Sequence, residues 1–333
     1  MKTARRYPLV AATAALLFLA AAPLLHAELP PLYPREAFFG LPERTAPALS
    51  PDGRYLSWVA PGADSIPNVW LEEIGSGRPR QVTHGGGAGV FQYVWAADAA
   101  HILYYADKDG DENNHIYAVT LADGTTRDLT PFPGAKAQAV EVDQHHPDEI
   151  LLDLNRRNPR LFDRYRVRLS TGEATLEAEN PGDVVEWLVD NDFRVRACAA
   201  LDSATADVLI RVRDDVTAPW RQLARWPFEK NSDINFQKLV AWGDDNRTLI
   251  VQNSLTSDKS QIKAIDLATG RDVRVIASNP KADVANGPGG AINDEALLLR
   301  DTESGRFLAA CFEYEKPEWT VLDPAVGPDF AFL

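Results

Sequence analysis

A tight polar turn recurs along the chain about every 48 residues, and this period restricts the possible folds more than any other feature. Each turn contains at least one aspartate and precedes a short apolar run. Six such turns occur, at Ser50–Gly53, Ala96–Ala99, His146–Asp148, Val189–Asp192, Gly243–Asn246 and Ile292–Glu295. A unit of this length holds four strands of ~5 to 6 residues with their connections. The period therefore predicts a β-propeller in which each unit is one blade.

A second landmark, Leu-x-x-Gly, follows an apolar run in three of the units, at Leu121–Gly124, Leu169–Gly172 and Leu267–Gly270. Glycine at this place fits a hairpin that needs positive φ. Elsewhere, apolar residues alternate or form short β-branched runs, and helical spacing is not sustained. We predict an all-β domain over residues 46–333 with about six blades of four antiparallel strands, or an incomplete seven-bladed propeller.

The first 27 residues have the features of a secretory signal peptide. A basic start (Lys2, Arg5 and Arg6) precedes the apolar stretch 8–25, and the segment ends at Ala27. The alternative is an uncleaved anchor, because the stretch is near the lower limit for crossing a membrane. Its alanine content and Pro23 favour cleavage. We expect export to the periplasm or the extracellular space, an N-terminal extension over 28–45, and no membrane association after cleavage.

Charge and cysteine content exclude other classes of partner. The net charge is −14, from 34 basic and 48 acidic residues, so a polyphosphate backbone would be repelled and nucleic acid is not an expected partner. Cys198 and Cys311 lie in apolar runs, which predicts buried thiols, with a single disulfide as the alternative. No cofactor is predicted.

An ordered series of short segments extends over nearly the whole chain after the signal. It comprises Trp95 with Asp98, His101–Tyr117, Leu129–Pro131, Asn155–Pro159, Asp163–Tyr165, Asn180–Gly182 with Trp187, and Glu318–Pro324. This series resembles the propeller domain of the prolyl oligopeptidase family of serine peptidases, in particular the secreted bacterial branch related to acylaminoacyl peptidases and dipeptidyl aminopeptidases. The resemblance implies an α/β-hydrolase domain, after the propeller, that holds the catalytic Ser, Asp and His.

None of the 333 residues belongs to a Gly-x-Ser-x-Gly nucleophile elbow; Ser76 comes nearest, with Ile74 and Arg78 where glycine is required. We therefore expect an incomplete member of the family that is inactive alone. Its propeller would gate the access of short peptides to the missing α/β-hydrolase domain. One alternative is a stand-alone TolB-like binding propeller of the periplasm. Another is a hydrolase with paired carboxylates, but the spacing singles out no such pair.

The acidic run Asp107–Glu112 is the candidate substrate-gating segment. Its carboxylates alternate, but Gly110 is not at the position that an EF-hand loop requires, so a metal site is not predicted. We predict an exposed turn in blade two. In a complete enzyme the gating residues Asp109, Asp111, Glu112 and Asn113 would face the hydrolase domain and position a cationic peptide amine.

Structural roles, and not binding or catalytic ones, are predicted for three other groups of residues. Adjacent residues on a strand face opposite sides, so His145 and His146 are predicted to lie in a turn rather than to bind one metal ion. The alternation of Arg164, Arg166 and Arg168 predicts one solvated strand face. Core packing between blades is predicted for Trp58, Trp70, Trp95, Trp187 and Trp242.

Overall fold

The computed structural model describes residues 32–108, 110–228, 238–286, 297–301 and 304–332. The chain divides into two compact units, Met1–Pro42 and Glu43–Leu333. In the first unit, helix α1 spans Glu36–Phe39, and Tyr33 packs edge-on against Phe38 with ring centroids 5.9 Å apart. The predicted signal peptide, residues 1–27, lies outside the described residues. None of the described helices is long and apolar enough to cross a membrane.

The second unit consists of six sheets of consecutive antiparallel strands. Blade one contains β1 (Thr45–Leu49), β2 (Tyr55–Pro61), β3 (Pro67–Glu73) and β4 (Arg80–Gln81). Blade two contains β5 (Tyr93–Trp95), β6 (His101–Ala106), β7 (His115–Thr120) and β8 (Thr126–Asp128). Blade three contains β9 (Ala137–Val142), β10 (Glu149–Asn158), β11 (Leu161–Arg168) and β12 (Ala174–Ala178).

Blade four contains β13 (Val184–Val189), β14 (Val195–Leu201), β15 (Val208–Val212) and β16 (Arg221–Trp226). Blade five contains β17 (Lys238–Trp242), β18 (Thr248–Asn253), β19 (Gln261–Asp266) and β20 (Asp272–Ala277). Blade six contains β21 (Leu298–Arg300), β22 (Phe307–Glu313) and β23 (Pro317–Val321), followed by a 3-10 turn (Pro324–Val326) and helix α2 (Gly327–Phe332). The predicted all-β, six-bladed propeller of four-stranded antiparallel blades is confirmed, and the described part of blade six contributes three strands.

Five of the six predicted turns join the first and second strands of blades one to five. Local geometry explains this, because an aspartate accepts hydrogen bonds from backbone amides that follow it in the turn. Asp52 bonds Arg54 N at 3.1 Å, and Asp245 bonds Arg247 N at 2.9 Å. The sixth predicted turn, 292–295, lies outside the described residues. In blade six, β21 ends at Arg300 and β22 begins at Phe307, and between them Asp301 accepts from Ser304 N at 2.6 Å.

The Leu-x-x-Gly segments are hairpins with glycine at positive φ, as predicted. They join third and fourth strands, and they also connect neighbouring blades. An arginine on the fourth strand of one blade donates to the leucine carbonyl of the next hairpin. The pairs are Arg80 to Leu121 O at 3.1 Å, Arg127 to Leu169 O at 3.0 Å, and Arg221 to Leu267 O at 2.9 Å. Each hairpin thus links its own blade to the preceding one.

Buried apolar clusters lie between each pair of consecutive blades from one to six. The predicted inter-blade role is confirmed for three tryptophans. Trp95 donates to Ser57 Oγ of blade one at 2.8 Å, Trp187 donates to a carbonyl of blade three at 3.4 Å, and Trp242 packs under Arg196 of blade four at 4.6 Å. Trp58 is also buried, whereas Trp70 is half-buried.

Candidate functional site

The order of the strands places the loops of every blade at two ends of the propeller. Turns between first and second strands and between third and fourth strands lie at one end. Loops between second and third strands lie at the other end, together with the connections from one blade to the next. We call this second end the crossover face. It holds both the predicted gating segment and a cavity between blades three and four.

The gating segment forms the loop between β6 and β7, so the predicted exposed turn in blade two is confirmed. Asp111 and Glu112 are exposed and Asn113 is half-buried, while Asp109 lies outside the described residues. Glu112 has φ of 59°, a conformation that non-glycine residues adopt only at a cost. Its amide donates to Asp107 Oδ2 at 3.0 Å, which holds that conformation.

Asp111 organises the loop through its carboxylate. Its Oδ1 accepts the backbone amide of Asn113 at 3.0 Å, and its Oδ2 accepts the side-chain amide of Asn113 at 3.2 Å. These two hydrogen bonds lower the pKa of Asp111, the backbone bond contributing most. The loop therefore presents an ionised carboxylate at the crossover face at neutral pH.

The second feature of this face is an open cavity of about 400 Å³. Its lining residues come from β9, from β10, β11 and the turn between them, from the connection to blade four, and from β13 and β14. They include Gln138, Asp153, Arg160, Leu161, Phe162, Asp183, Val185, Trp187 and Leu201. Asn180 fixes the connection between the blades, since its side chain donates to Val184 O at 2.8 Å and accepts from Gly182 N at 2.9 Å. The mouth is apolar, with Val185 65% and Leu201 38% exposed.

Asp153 is the buried acidic group of this cavity, with 10% of its side chain exposed. It stands opposite Arg164 in the β10–β11 register, and its Oδ1 lies 2.8 Å from Arg164 Nε. Both atoms are buried and neither has a hydrogen-bond partner, so their contact is an ion pair. Burial raises the pKa of Asp153 to about 7, although the attraction of Arg164 opposes the shift.

The prediction that Arg164, Arg166 and Arg168 form one solvated strand face is wrong. Only the Arg168 side chain is half exposed, at 52%, whereas that of Arg164 is 2% and that of Arg166 19% exposed. Carboxylates on the adjoining strands replace water around them. Arg166 pairs with Glu149 at 2.8 Å and Glu177 at 3.1 Å, so these arginines form a cross-strand ion-pair ladder.

The histidine and cysteine predictions concern metal and thiol chemistry. His145 lies in the predicted turn, and His146 Nδ1 lies 2.9 Å from Asp143 Oδ1. Within the described ranges, no three His, Cys, Asp or Glu side chains are grouped to hold a metal ion.

Cys198 and Cys311 are buried and unbridged, and burial raises the pKa of Cys198 to about 12. The predicted buried thiols are confirmed.

Asp153 was missed as a site residue, although the sequence contains a signal for it. It ends the run Glu149–Asp153, in which the three preceding apolar residues are fully buried. A carboxylate at such a position needs a buried partner or a ligand. Its partners Arg164 and Glu141 lie on two other strands, so only the register of the sheet brings the three together.

The chain is similar to two curated proteins. Dipeptidyl aminopeptidase BIII of Pseudoxanthomonas mexicana is 34% identical over 309 residues, which cover 91% of this chain and 41% of that protein. Dipeptidyl peptidase family member 6 of Caenorhabditis elegans is 31% identical over 312 residues, which cover 91% of this chain and 40% of that protein. The chain thus spans about two fifths of the length of these relatives. No family model matches it.

Solved structures support the fold. A puromycin hydrolase aligns with a TM-score of 0.56 and 15% identity, covering 86% of this chain and 46% of that one. A prolyl endopeptidase aligns with a TM-score of 0.50 and 13% identity, covering 81% of this chain and 39% of that one. At these identities the likeness concerns the propeller fold alone.

Proposed function

Because the chain is a β-propeller of the prolyl oligopeptidase family of serine peptidases, we propose that it is the substrate-selecting part of an exported peptidase that acts on short peptides. The observation that carries this proposal is the 34% identity to a dipeptidyl aminopeptidase over 91% of the chain. The printed sequence holds no nucleophile elbow, so acyl transfer would be performed by the Ser, His and Asp of an α/β-hydrolase domain. Export rests on the signal-like residues 1–27, and the mature protein should begin at Glu28.

The gating role is assigned to the crossover face. An enzyme that removes dipeptides must recognise a free amino terminus, which is a cation, and carboxylates are suited to bind it. Asp111 and Glu112 present exposed carboxylates on a loop whose conformation is fixed by its own hydrogen bonds. Asp109 and Asn113 complete the proposed gating segment; Asn113 takes part by holding Asp111 in place.

Binding to the full chain tests this role without any catalytic step. We expect alanyl-alanine amide to bind more tightly than its N-acetyl form in calorimetric titrations, because acetylation removes the charge. The double variant D111N/E112Q should reduce that preference about tenfold, equivalent to one charge-assisted hydrogen bond. The amide at position 111 keeps an acceptor for the loop amides. The matched control is D123N, at a turn of the opposite end where Asp123 accepts from Thr125 N.

Equal binding of the free and acetylated forms by the unmodified chain would contradict the assignment to an amine site. If no peptide binds, the peptide role fails, and a stand-alone TolB-like binding propeller becomes the better hypothesis.

A further inference from the structure

We propose that the cavity between blades three and four binds a basic side chain, an ammonium or guanidinium group on an aliphatic stem, of a peptide ligand. This inference rests on the proposed function, because it names the class of peptide that the propeller would select. The site differs from the gating segment, which is assigned to the amino terminus.

The first argument for a cationic ligand is electrostatic, because two carboxylates share one guanidinium. Arg164 is the partner of two carboxylates, Asp153 at 2.8 Å and Glu141 at 3.2 Å. One guanidinium neutralises one of them, and burial disfavours the charge that remains, which raises the pKa of Asp153 to about 7; a cation in the cavity would stabilise the ionised form. Asp153 Oδ1 and Glu141 Oε2 are buried without hydrogen-bond partners. Asp153 is the one of the two that lines the cavity, and a cation entering there would supply a charge and a donor to it.

The shape of the cavity favours a stem over a bare ion. Apolar residues of both blades line it, among them Leu161, Phe162, Val185 and Leu201, and Val185 and Leu201 form the exposed mouth. An aliphatic chain can pack against these residues while its charged end reaches the buried Asp153. The volume of about 400 Å³ lies in the range of ligand pockets.

The other charged groups of the lining are consistent with this assignment. Asp183 is held by Arg211 through two hydrogen bonds, of 2.9 and 2.5 Å, so its charge is already neutralised. Arg160 is exposed, and solvent screens its repulsion of a cation. Asp153 is therefore the lining carboxylate that gains most from a cationic ligand.

Capped single amino acids test the proposal, because they need no peptide-binding machinery. We expect N-acetyl-lysine methylamide to bind the full chain about tenfold more tightly than N-acetyl-norleucine methylamide, which has a neutral stem of similar length. In the D111N/E112Q variant, which lacks the proposed amine site, norleucine methylamide with a free α-amine should bind no better than its acetylated form. The variant D153N should abolish the preference for lysine, whereas D123N should retain it.

A second variant keeps the test valid if D153N folds poorly. Val185 is exposed at the mouth, so V185R should fold, and its positive charge should weaken lysine binding but not norleucine binding. The proposal is overturned if lysine and norleucine bind equally, or if a free α-amine alone confers binding on D111N/E112Q. Loss of amine preference in D111N/E112Q leaves this result unaffected, so failures of the two proposals are distinguishable.

Discussion

Asp153 shows how one side chain connects stability, pH and binding in this propeller. Burial raises its pKa to about 7 from an ordinary value of 3.8. The folded protein therefore holds a proton, between about pH 4 and pH 7, that the unfolded chain has released. The contribution of Asp153 to the free energy of unfolding is greatest below this window. It falls as the pH rises through the window, because the buried carboxylate must then ionise.

The variant D153N should make stability less dependent on pH. Between pH 5 and pH 8, we expect the urea midpoint of the unmodified chain to fall more than that of D153N, since an amide has no proton to lose. All other titrating groups are shared, so the difference between the two pH profiles isolates Asp153. Parallel profiles would show that Asp153 ionises in the folded protein as it does in the unfolded chain.

At this scale, local sequence predicted some roles and missed others. Trp95, Trp187 and Trp242 could be placed between blades because large apolar residues recur at blade spacing. The site at Asp153 could not be predicted, since its partners Glu141 and Arg164 are brought to it by strand register. The arginine ladder was misjudged for the same reason.

The Leu-x-x-Gly hairpin is the element that most directly joins two blades. Gly270 has φ of 67°, and a Cβ atom there would clash with the backbone oxygen of Leu223 in blade four. Gly124 has φ of 72° in the equivalent hairpin of blade two, with open space around its Cβ position. Both glycines have positive φ, which strains any other residue. They differ in whether a Cβ atom would contact the neighbouring blade.

Alanine at the two glycines should separate these effects. Both G124A and G270A should lose about 1 kcal/mol from positive φ. G270A should lose at least a further ~1 kcal/mol, because the hairpin must move away from blade four. Urea denaturation of the two variants measures the difference. Equal losses would mean that the hairpin shifts away from Leu223 without cost.

The regular spacing of the turns predicted their positions correctly in the first five blades, whereas blade six departs from it. Turns such as Ser50–Gly53 and Gly243–Asn246 were predicted because an aspartate and its own following amides determine them. In blade six, β21 ends at Arg300 and β22 begins at Phe307, so these two strands are joined later than the regular spacing predicted. Val284 and Leu298 both pair with β22, at Phe312 and Ala310, although they lie 14 residues apart in the sequence. This separation accounts for the shifted spacing.

For the molecule as a whole, stability depends on contacts between neighbours. Each blade from two to five packs an apolar face on the blade before it and another on the blade after it. Such an array behaves as units coupled to their neighbours, so local opening should be easiest where a sheet has fewest partners. Blade six is that place among the described residues, because β23 pairs with β22 and with no fourth strand there.

Hydrogen exchange on the full chain should show this gradient. In β19, the third strand of blade five, amides are paired on both sides by β18 and β20. In β23, the third strand of blade six, every second amide points away from β22 and has no strand partner in the described sheet. We expect these outward amides to exchange at least about tenfold faster than those of β19, while inward amides of both strands remain protected. The inward amides of β23 are the internal control, because general unfolding of blade six would expose them equally. Uniform protection across β23 would mean that residues outside the described ranges pair with its edge.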